Sequence, residues 1–468
     1  MSIPSDSNCY MSIHGHFYQP PRTDPLTGQI PTEPDAAPFA NWNERIDAEC
    51  YRPNAQAGHF AKISFNLGTT LAEWLITADE STYQRIIADE NAHYRAHGIG
   101  NGLAQPMHHT ILPLAGHSDR VCQVRWGIAS FRHHFGHDPQ GMWLPEMAVD
   151  QETLEILALE GIKFTILSSE QVQGDIDRSS GPYRVKLHGN REIAVFVRDK
   201  VLSNSLSFRM PDLSHIDAWR HNELSWRCHK GRLLLIATDG ETFGHHHRQG
   251  VQVLSSLIAP SNDIPCELTS LGVFLDQHPP TSDIAIRQDT AWSCSHHLER
   301  WAIGCACTPG DSHWKSALRR ALDNLAGDLD HIFGREVGRF VDSPYQLRDD
   351  YIAVILDEIT GPAFLISHGL SHLPSADSNR LLDLLWAQYY RQRMYASCAF
   401  FFEDLERYEP RYAIASAAQA IVLTRHATGD DLTDTFRRDL TIATSTKSSR
   451  NGAEIFDEIT AGASHEPA

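Results

Sequence analysis

A change of hydrophobic period about two-thirds of the way along its 468 residues constrains this chain more than any other feature. Up to about residue 300, short apolar runs alternate with helical patterns. Cys9 to Phe17 reads as a strand, as does Lys62 to Asn66. A helix over Thr82 to Ala96, a strand near Gln105 to Leu112 and a helix over Ser118 to Phe135 follow. Gly141 to Glu146 reads as a strand end, and Gln151 to Glu160 as a helix. Ile162 to Leu167, Ile193 to Arg198 and Leu233 to Thr238 are apolar β-type runs, with Ile284 to Ile286 as the last. Strands alternating with helices imply a parallel sheet, and about seven such units close, or nearly close, a barrel. From Ser312 the period becomes 3.6, with Trp314, Leu318, Ala321, Leu322, Leu325, Leu329 and Phe333 on one stripe. Tyr351 to Ile359, Asn379 to Asp404 and Ala413 to Ala427 continue in that style, so a helical domain is expected after the barrel. Residues from about 446 are polar and Gly/Ser-rich and are expected to form a flexible tail.

Composition narrows the partners. With 59 acidic and 40 basic side chains, the formal charge of -19 gives no basic footprint for nucleic acid or an anionic membrane. A neutral ligand such as a sugar fits better than a polyphosphate. No run of about 18 apolar residues suggests a membrane span, and the first residues lack the charged-then-apolar pattern of a signal peptide. Nine scattered cysteines, an odd number, point to reduced thiols and a cytoplasmic location. The pair Cys305 and Cys307 is by itself a poor disulfide or zinc signal.

Four polar segments draw attention, and three of them end strands, where parallel α/β barrels build their sites. His14 and His16 leave the first strand on the same face, two residues apart, ahead of Gln19-Pro20. They suit either a metal or the hydroxyls of a sugar. Adjacent His108 and His109 face opposite ways, so one of them is available. Glu146 follows Gly141-Met142-Trp143-Leu144-Pro145. The apolar run Leu234 to Ala237 leads into Thr238-Asp239-Gly240-Glu241 and then His245-His246-His247. So many polar groups leaving a core strand are costly to bury without a purpose. A fifth segment, Trp292 to Trp301, mixes Trp, His, Glu and Arg. Cleaving a glycosidic bond needs two carboxyl groups, and Glu146 and Asp239, each at its own strand end, meet that need. Neither a G-x-S-x-G elbow nor a phosphate-cradling glycine loop is present.

These segments resemble the motifs of glycoside hydrolase family 57, the α-amylase-like family distinct from the main α-amylases. HGHFYQPPR (14–22) resembles its first motif, with Phe17 and Tyr18 inserted before Gln19-Pro20. AQPMHHTILPL, GMWLPE, ATDGETFGHH and TAWSCSHHLERW resemble the second to fifth. MYASCAFFFEDLE, Met394 to Glu406, resembles a segment of a bacterial subgroup with an extra C-terminal domain of unknown function. The resemblance implies an α/β fold: an incomplete (β/α)7 barrel over residues 1–300, then a helical domain over 301–445 contributing to the active-site cleft. It implies retention of anomeric configuration, with Glu146 as nucleophile and Asp239 as acid/base, and neither a catalytic metal nor a cofactor. His14, His16, Gln19, His109, Trp143, Glu241, His245, Trp292, His296 and Trp301 are the implied substrate-binding set, and an α-glucan or maltooligosaccharide the implied partner. Two other readings stay open at this stage. One is a zinc-dependent deacetylase or α-mannosidase on a related barrel, with His14, His16 and Asp239 as ligands. The other is a non-catalytic glucan-binding protein.

Overall fold

A computed structural model describes residues 9–176, 179–260 and 266–463. The chain divides into two compact units. The first comprises residues 1–19, 32–107 and 130–292; the second comprises 20–31, 108–129 and 293–468. The expected boundary near residue 300 is thus shifted slightly, and residues 108–129, expected within the barrel, belong to the second unit.

The first unit is built on strands β1 (Cys9–Phe17), β2 (Ser64–Leu67), β3 (Gly102–Leu103), β4 (Phe164–Ser168), β5 (Val172–Gln173), β6 (Tyr183–Lys186), β7 (Glu192–Arg198), β8 (Leu233–Asp239), β9 (Cys266–Leu268) and β10 (Ala285–Ile286). A parallel ladder runs β3-β2-β1-β8, and β4 pairs with β7 in parallel. Single bridges from Ala104 to Met142 and from Gly141 to Phe164 link β3 to β4. The Asp199 N–H donates to Leu235 O beyond the end of β7, at 2.8 Å. Seven parallel segments therefore follow one another: β1, β2, β3, residues 141–142, β4, β7 and β8. β9 adds to β1 in parallel, whereas β6 lies antiparallel on β7 and β10 antiparallel on β5. Within the run Ile284 to Ile286, expected as the last barrel strand, Ala285–Ile286 is this antiparallel partner of β5 instead. The segment Gln105 to Leu112, expected as a strand, is not one: His109 sits at φ 54° and residues Leu112–Leu114 form a 3-10 turn.

Local chemistry sets the strand-to-helix turns. Asp150 accepts the Thr153 N–H at 2.8 Å and caps helix Gln151–Leu159; Asp199 does the same for Leu202 N–H at 2.9 Å ahead of helix Lys200–Phe208. Ile13, Phe65, Met142, Ile166, Phe196 and Ile236 are buried, so the continuous apolar runs read from the sequence are those of strands covered on both faces.

In the second unit, the stripe on helix Trp314–Val337 is buried as its period requires. It joins helices Ser375–Arg393 and Tyr408–Thr428, with Phe333, Tyr351, Phe364, Leu381 and Leu385 in one apolar cluster. Of the helix expected over Tyr351 to Ile359 only Ile352–Ile355 is helical, after a separate helix Pro344–Asp350, and that expected over Asn379 to Asp404 ends at Arg393. The expected tail is not frayed where it is described: Gly452–Ala463 is a helix with Ile455 and Phe456 buried. Among the described residues, no helix is long and apolar enough to cross a membrane.

Candidate active site

Strand register builds the site. His16 on β1 lies opposite Asn66 on β2 and opposite Asp239 on β8, so three polar side chains meet at the C-terminal end of the central ladder. His14, two residues earlier on the same face, is fully buried. Its Nδ1 lies 3.2 Å from Ser64 Oγ and its Nε2 3.2 Å from Asn66 Oδ1. His16 Nδ1 also reaches Asn66 Oδ1, at 3.1 Å. Both rings stack on Trp143, with centroids 4.9 and 4.8 Å away. Burial pushes His14 down to about 3 and His16 to about 4, against the opposing bond to Asn66, so both are neutral at physiological pH.

Asp239 closes β8. The chain then turns at Gly240, where a Cβ would stand 2.3 Å from the Phe17 ring; only glycine fits. Glu241 in that turn is buried and points away into a polar cage. Its Oε1 accepts the Tyr51 O–H at 2.6 Å and the Tyr18 N–H at 3.3 Å, and Gln19 also bonds to it. Burial raises Glu241 to about 7 despite those bonds. Burial raises Asp239 further, to about 8, with added repulsion from Glu241 and then Glu146, opposed by Arg198.

Glu146 follows the bridged residues 141–142 in a 3-10 turn, Pro145–Met147. It occupies left-handed backbone, φ 58°, as does Met147 at φ 49°. Such conformations cost on the order of 1–3 kcal/mol each in non-glycine residues and persist where the surroundings dictate them. Trp292 supplies part of that constraint: its backbone N–H donates to Glu146 O, and its indole Nε1–H donates to Glu146 Oε2, both at 3.0 Å. The Arg198 guanidinium lies 4.8 Å from the Trp292 ring centroid, anchored on Ser168 Oγ and Ala237 O.

Of the residues singled out from the sequence, Glu146, Asp239, His14, His16, Gln19, Trp143, Glu241, His245 and Trp292 lie in the first unit, while His109, His296 and Trp301 lie in the second. Trp143 and Trp301 are each 0% exposed, so neither presents a face to a sugar ring, contrary to expectation. Trp143 instead backs the two histidines and meets Trp292 edge-on at 5.2 Å. His109 is buried, its Nδ1 2.6 Å from Ser397 Oγ in the Met394–Glu406 segment. His245 pairs with Glu49 Oε2 at 2.6 Å, and His296 Nδ1 lies 3.2 Å from Cys307 Sγ. The expectation of reduced thiols fails at Cys228 and Cys266, which form a disulfide. Sequence reasoning missed Asn66, Tyr51 and Arg198. Arg198 carried a usable signal, a cation ending an apolar strand; Tyr51 carried none.

The fold and these strand-end groups define an α/β barrel with two carboxyl groups in one site. Residues 96–286 match the model of glycosyl hydrolase family 57, and residues 311–467 match the domain of unknown function DUF3536. The stretch carrying the Glu146 and Asp239 motifs thus matches glycosyl hydrolase family 57, and the helical part that follows matches this second domain. It is similar to the exo-type maltose-forming amylase of Pyrococcus sp. ST04 at 13% identity and TM-score 0.72, covering 96% of this chain and 88% of that one. Similarity to the GH57-type branching enzyme of Pyrococcus horikoshii is at 15% identity and TM-score 0.57, over 97% and 94% of the two chains. For the 4-alpha-glucanotransferase of Thermococcus litoralis the values are 14% and 0.56, over 90% of this chain and 60% of that one. At these identities the likeness is one of fold.

Proposed function

We propose that this chain hydrolyses α-1,4-linked glucan, or transfers pieces of it, by double displacement with Glu146 as nucleophile and Asp239 as general acid/base. The observation that carries the reading is the division of labour between the two carboxyl groups. Asp239, raised to about 8, keeps a proton at neutral pH that it can give to a leaving oxygen. Glu146 takes an indole N–H bond, which an ionised carboxylate accepts more strongly than a neutral acid. In the first step Glu146 attacks the anomeric carbon while Asp239 protonates the glycosidic oxygen, leaving a glycosyl ester on Glu146. In the second, Asp239, now a carboxylate, removes a proton from water or from a sugar hydroxyl, which displaces Glu146. Two inversions give net retention. The family match over residues 96–286 supports the reaction class, and the names of the fold relatives, amylase, branching enzyme and glucanotransferase, support an α-glucan as substrate.

His16, Gln19, Trp292 and His245 are proposed to meet substrate. Trp143, stacked on neutral His14, backs His16 and Trp292, as Tyr51 holds Glu241. The zinc reading draws no support from this geometry: both nitrogens of His14 already have protein partners.

Glu146→Ala tests the assignment. Turnover on maltooligosaccharides is expected to disappear, and added azide to restore part of it, yielding a glycosyl azide of inverted configuration after a single displacement. Wild-type rates in Glu146→Ala would remove Glu146 from the mechanism.

A further inference from the structure

The second unit holds a cluster that the carbohydrate chemistry does not use. Cys294 Sγ, a ring nitrogen of His296, Cys305 Sγ and Cys307 Sγ all lie within 4.8 Å of one another. The Sγ atoms of Cys294 and Cys305 are 3.6 Å apart, and His296 Nδ1 is 3.2 Å from Cys307 Sγ. We propose that these four side chains bind one zinc ion in a structural Cys3His site.

The spacings fit that ion. Zinc–sulfur bonds of about 2.3 Å and zinc–nitrogen bonds of about 2.0–2.1 Å, set tetrahedrally, put ligand sulfurs about 3.7 Å apart and a sulfur and a nitrogen about 3.5 Å apart. A disulfide would bring two sulfurs to about 2.05 Å, and all three cysteines are free thiols. The sequence supplies the ligands as two short pairs, Cys294-x-His296 and Cys305-x-Cys307, separated by eight residues that include the turn of helix Glu299–Ala302. Four protein ligands close the coordination shell and leave no position for water, the arrangement of a structural rather than a catalytic zinc.

The surroundings suit such a site. Three thiolates and Zn²⁺ carry a net charge of about -1, and two buried cations flank the loop. Arg300 donates to Cys307 O at 3.1 Å; Lys315 Nζ donates to Thr308 Oγ1 at 2.9 Å and to Phe401 O at 3.4 Å. The backbone between the pairs is tightly specified. His297 is at φ 56°, and Gly304, at φ 89°, packs where a Cβ would stand 2.4 Å from Ser312 O. A loop of short hydrogen-bonded turns with three cysteines at its base gains its cross-link from the ion, since metal binding to a site formed only on folding adds directly to stability. Neither half of the ligand set is a zinc signal alone; the fold makes it one by bringing both pairs together. His296, expected from the sequence to contact sugar, is assigned here to the metal.

Elemental analysis of the full-length chain, purified without chelator or metal-affinity resin from zinc-replete medium, tests the assignment. About one zinc per chain is expected, with X-ray absorption at the zinc edge fitting about three sulfurs at 2.3 Å and one nitrogen at 2.0–2.1 Å. Cys305→Ser/Cys307→Ser is expected to lose at least about nine-tenths of the zinc. His313→Ala, which removes a histidine whose side chain is 94% exposed, is expected to keep it. If the double variant does not fold, the absorption spectrum of the wild-type protein decides alone. A wild-type chain free of zinc, zinc bound only by nitrogen and oxygen, or a disulfide between Cys294 and Cys305 would each overturn the proposal.

Discussion

Glu241→Gln isolates the electrostatic coupling between Glu241 and Asp239. Glutamine keeps an oxygen for the Tyr51 O–H and the Tyr18 N–H and removes only the charge. Asp239 is lifted from 3.8 to about 8, and Glu241 is the largest cause after burial. Glu241 itself stands at about 7, so it is ionised over the range in which Asp239 titrates, and the repulsion acts there. Two like charges roughly 5–8 Å apart interact by about 2–3 kcal/mol at an effective dielectric constant of about 20. That corresponds to about 1.5–2 pKa units at 1.36 kcal/mol per unit. Asp239 is half-buried, so solvent screening reduces the effect to about one unit. The basic limb of kcat/KM on a maltooligosaccharide is therefore expected to move from near 8 down toward 7, with the acid limb unchanged. Stability shifts in the same sense. Carboxyl groups whose folded pKa is raised favour the fold below their unfolded values and lose that contribution as pH rises through the folded ones. The contribution of these two carboxyls to Tm should thus fall between about pH 4 and pH 8, against the opposite trend of the buried histidines, so that Tm at pH 8 relative to pH 5 is higher in Glu241→Gln than in the wild type. A basic limb that stays put or moves up would mean that the Glu241 charge does not raise Asp239.

Two further perturbations address neighbouring parts of the structure. Trp292→Phe keeps the ring and deletes the donor to Glu146. A hydrogen bond to a charged group is worth about 1.5–3 kcal/mol, and with both partners only part-buried the lower end applies: kcat/KM should fall about tenfold with Tm unchanged. Deleting residues 452–468 removes buried Ile455 and Phe456, each worth about 1.5–3 kcal/mol, so urea denaturation should show a loss of about 3–6 kcal/mol; an unchanged midpoint would mean the helix is dispensable.

The strands of the barrel were legible because residues buried on both faces leave continuous apolar runs, and β1, β7 and β8 fall within a residue of their expected limits. Glu146 and Asp239 were legible by position, as carboxylates at the ends of such runs. The stretch after β3 was not. Gln105 to Leu112 has a strand's composition, yet His109 takes a left-handed turn and accepts the Ser397 N–H while Thr110 bridges to Ala396, nearly three hundred residues away in sequence. Burial was misjudged at Trp143 and Trp301, since an aromatic side chain near a polar motif reads the same whether it faces a ligand or supports the motif from behind. Tyr51 and Asn66 owe their roles to strand register and to a helix that packs against the turn after β8, and neither is written in their local sequence.

A double displacement at one anomeric carbon fixes the configuration of the first-formed product. Proton NMR of a maltooligosaccharide digest, recorded before mutarotation, is expected to show the new reducing end as the α-anomer. The β-anomer would mean a single displacement by water and would contradict the assignment of Glu146 as nucleophile.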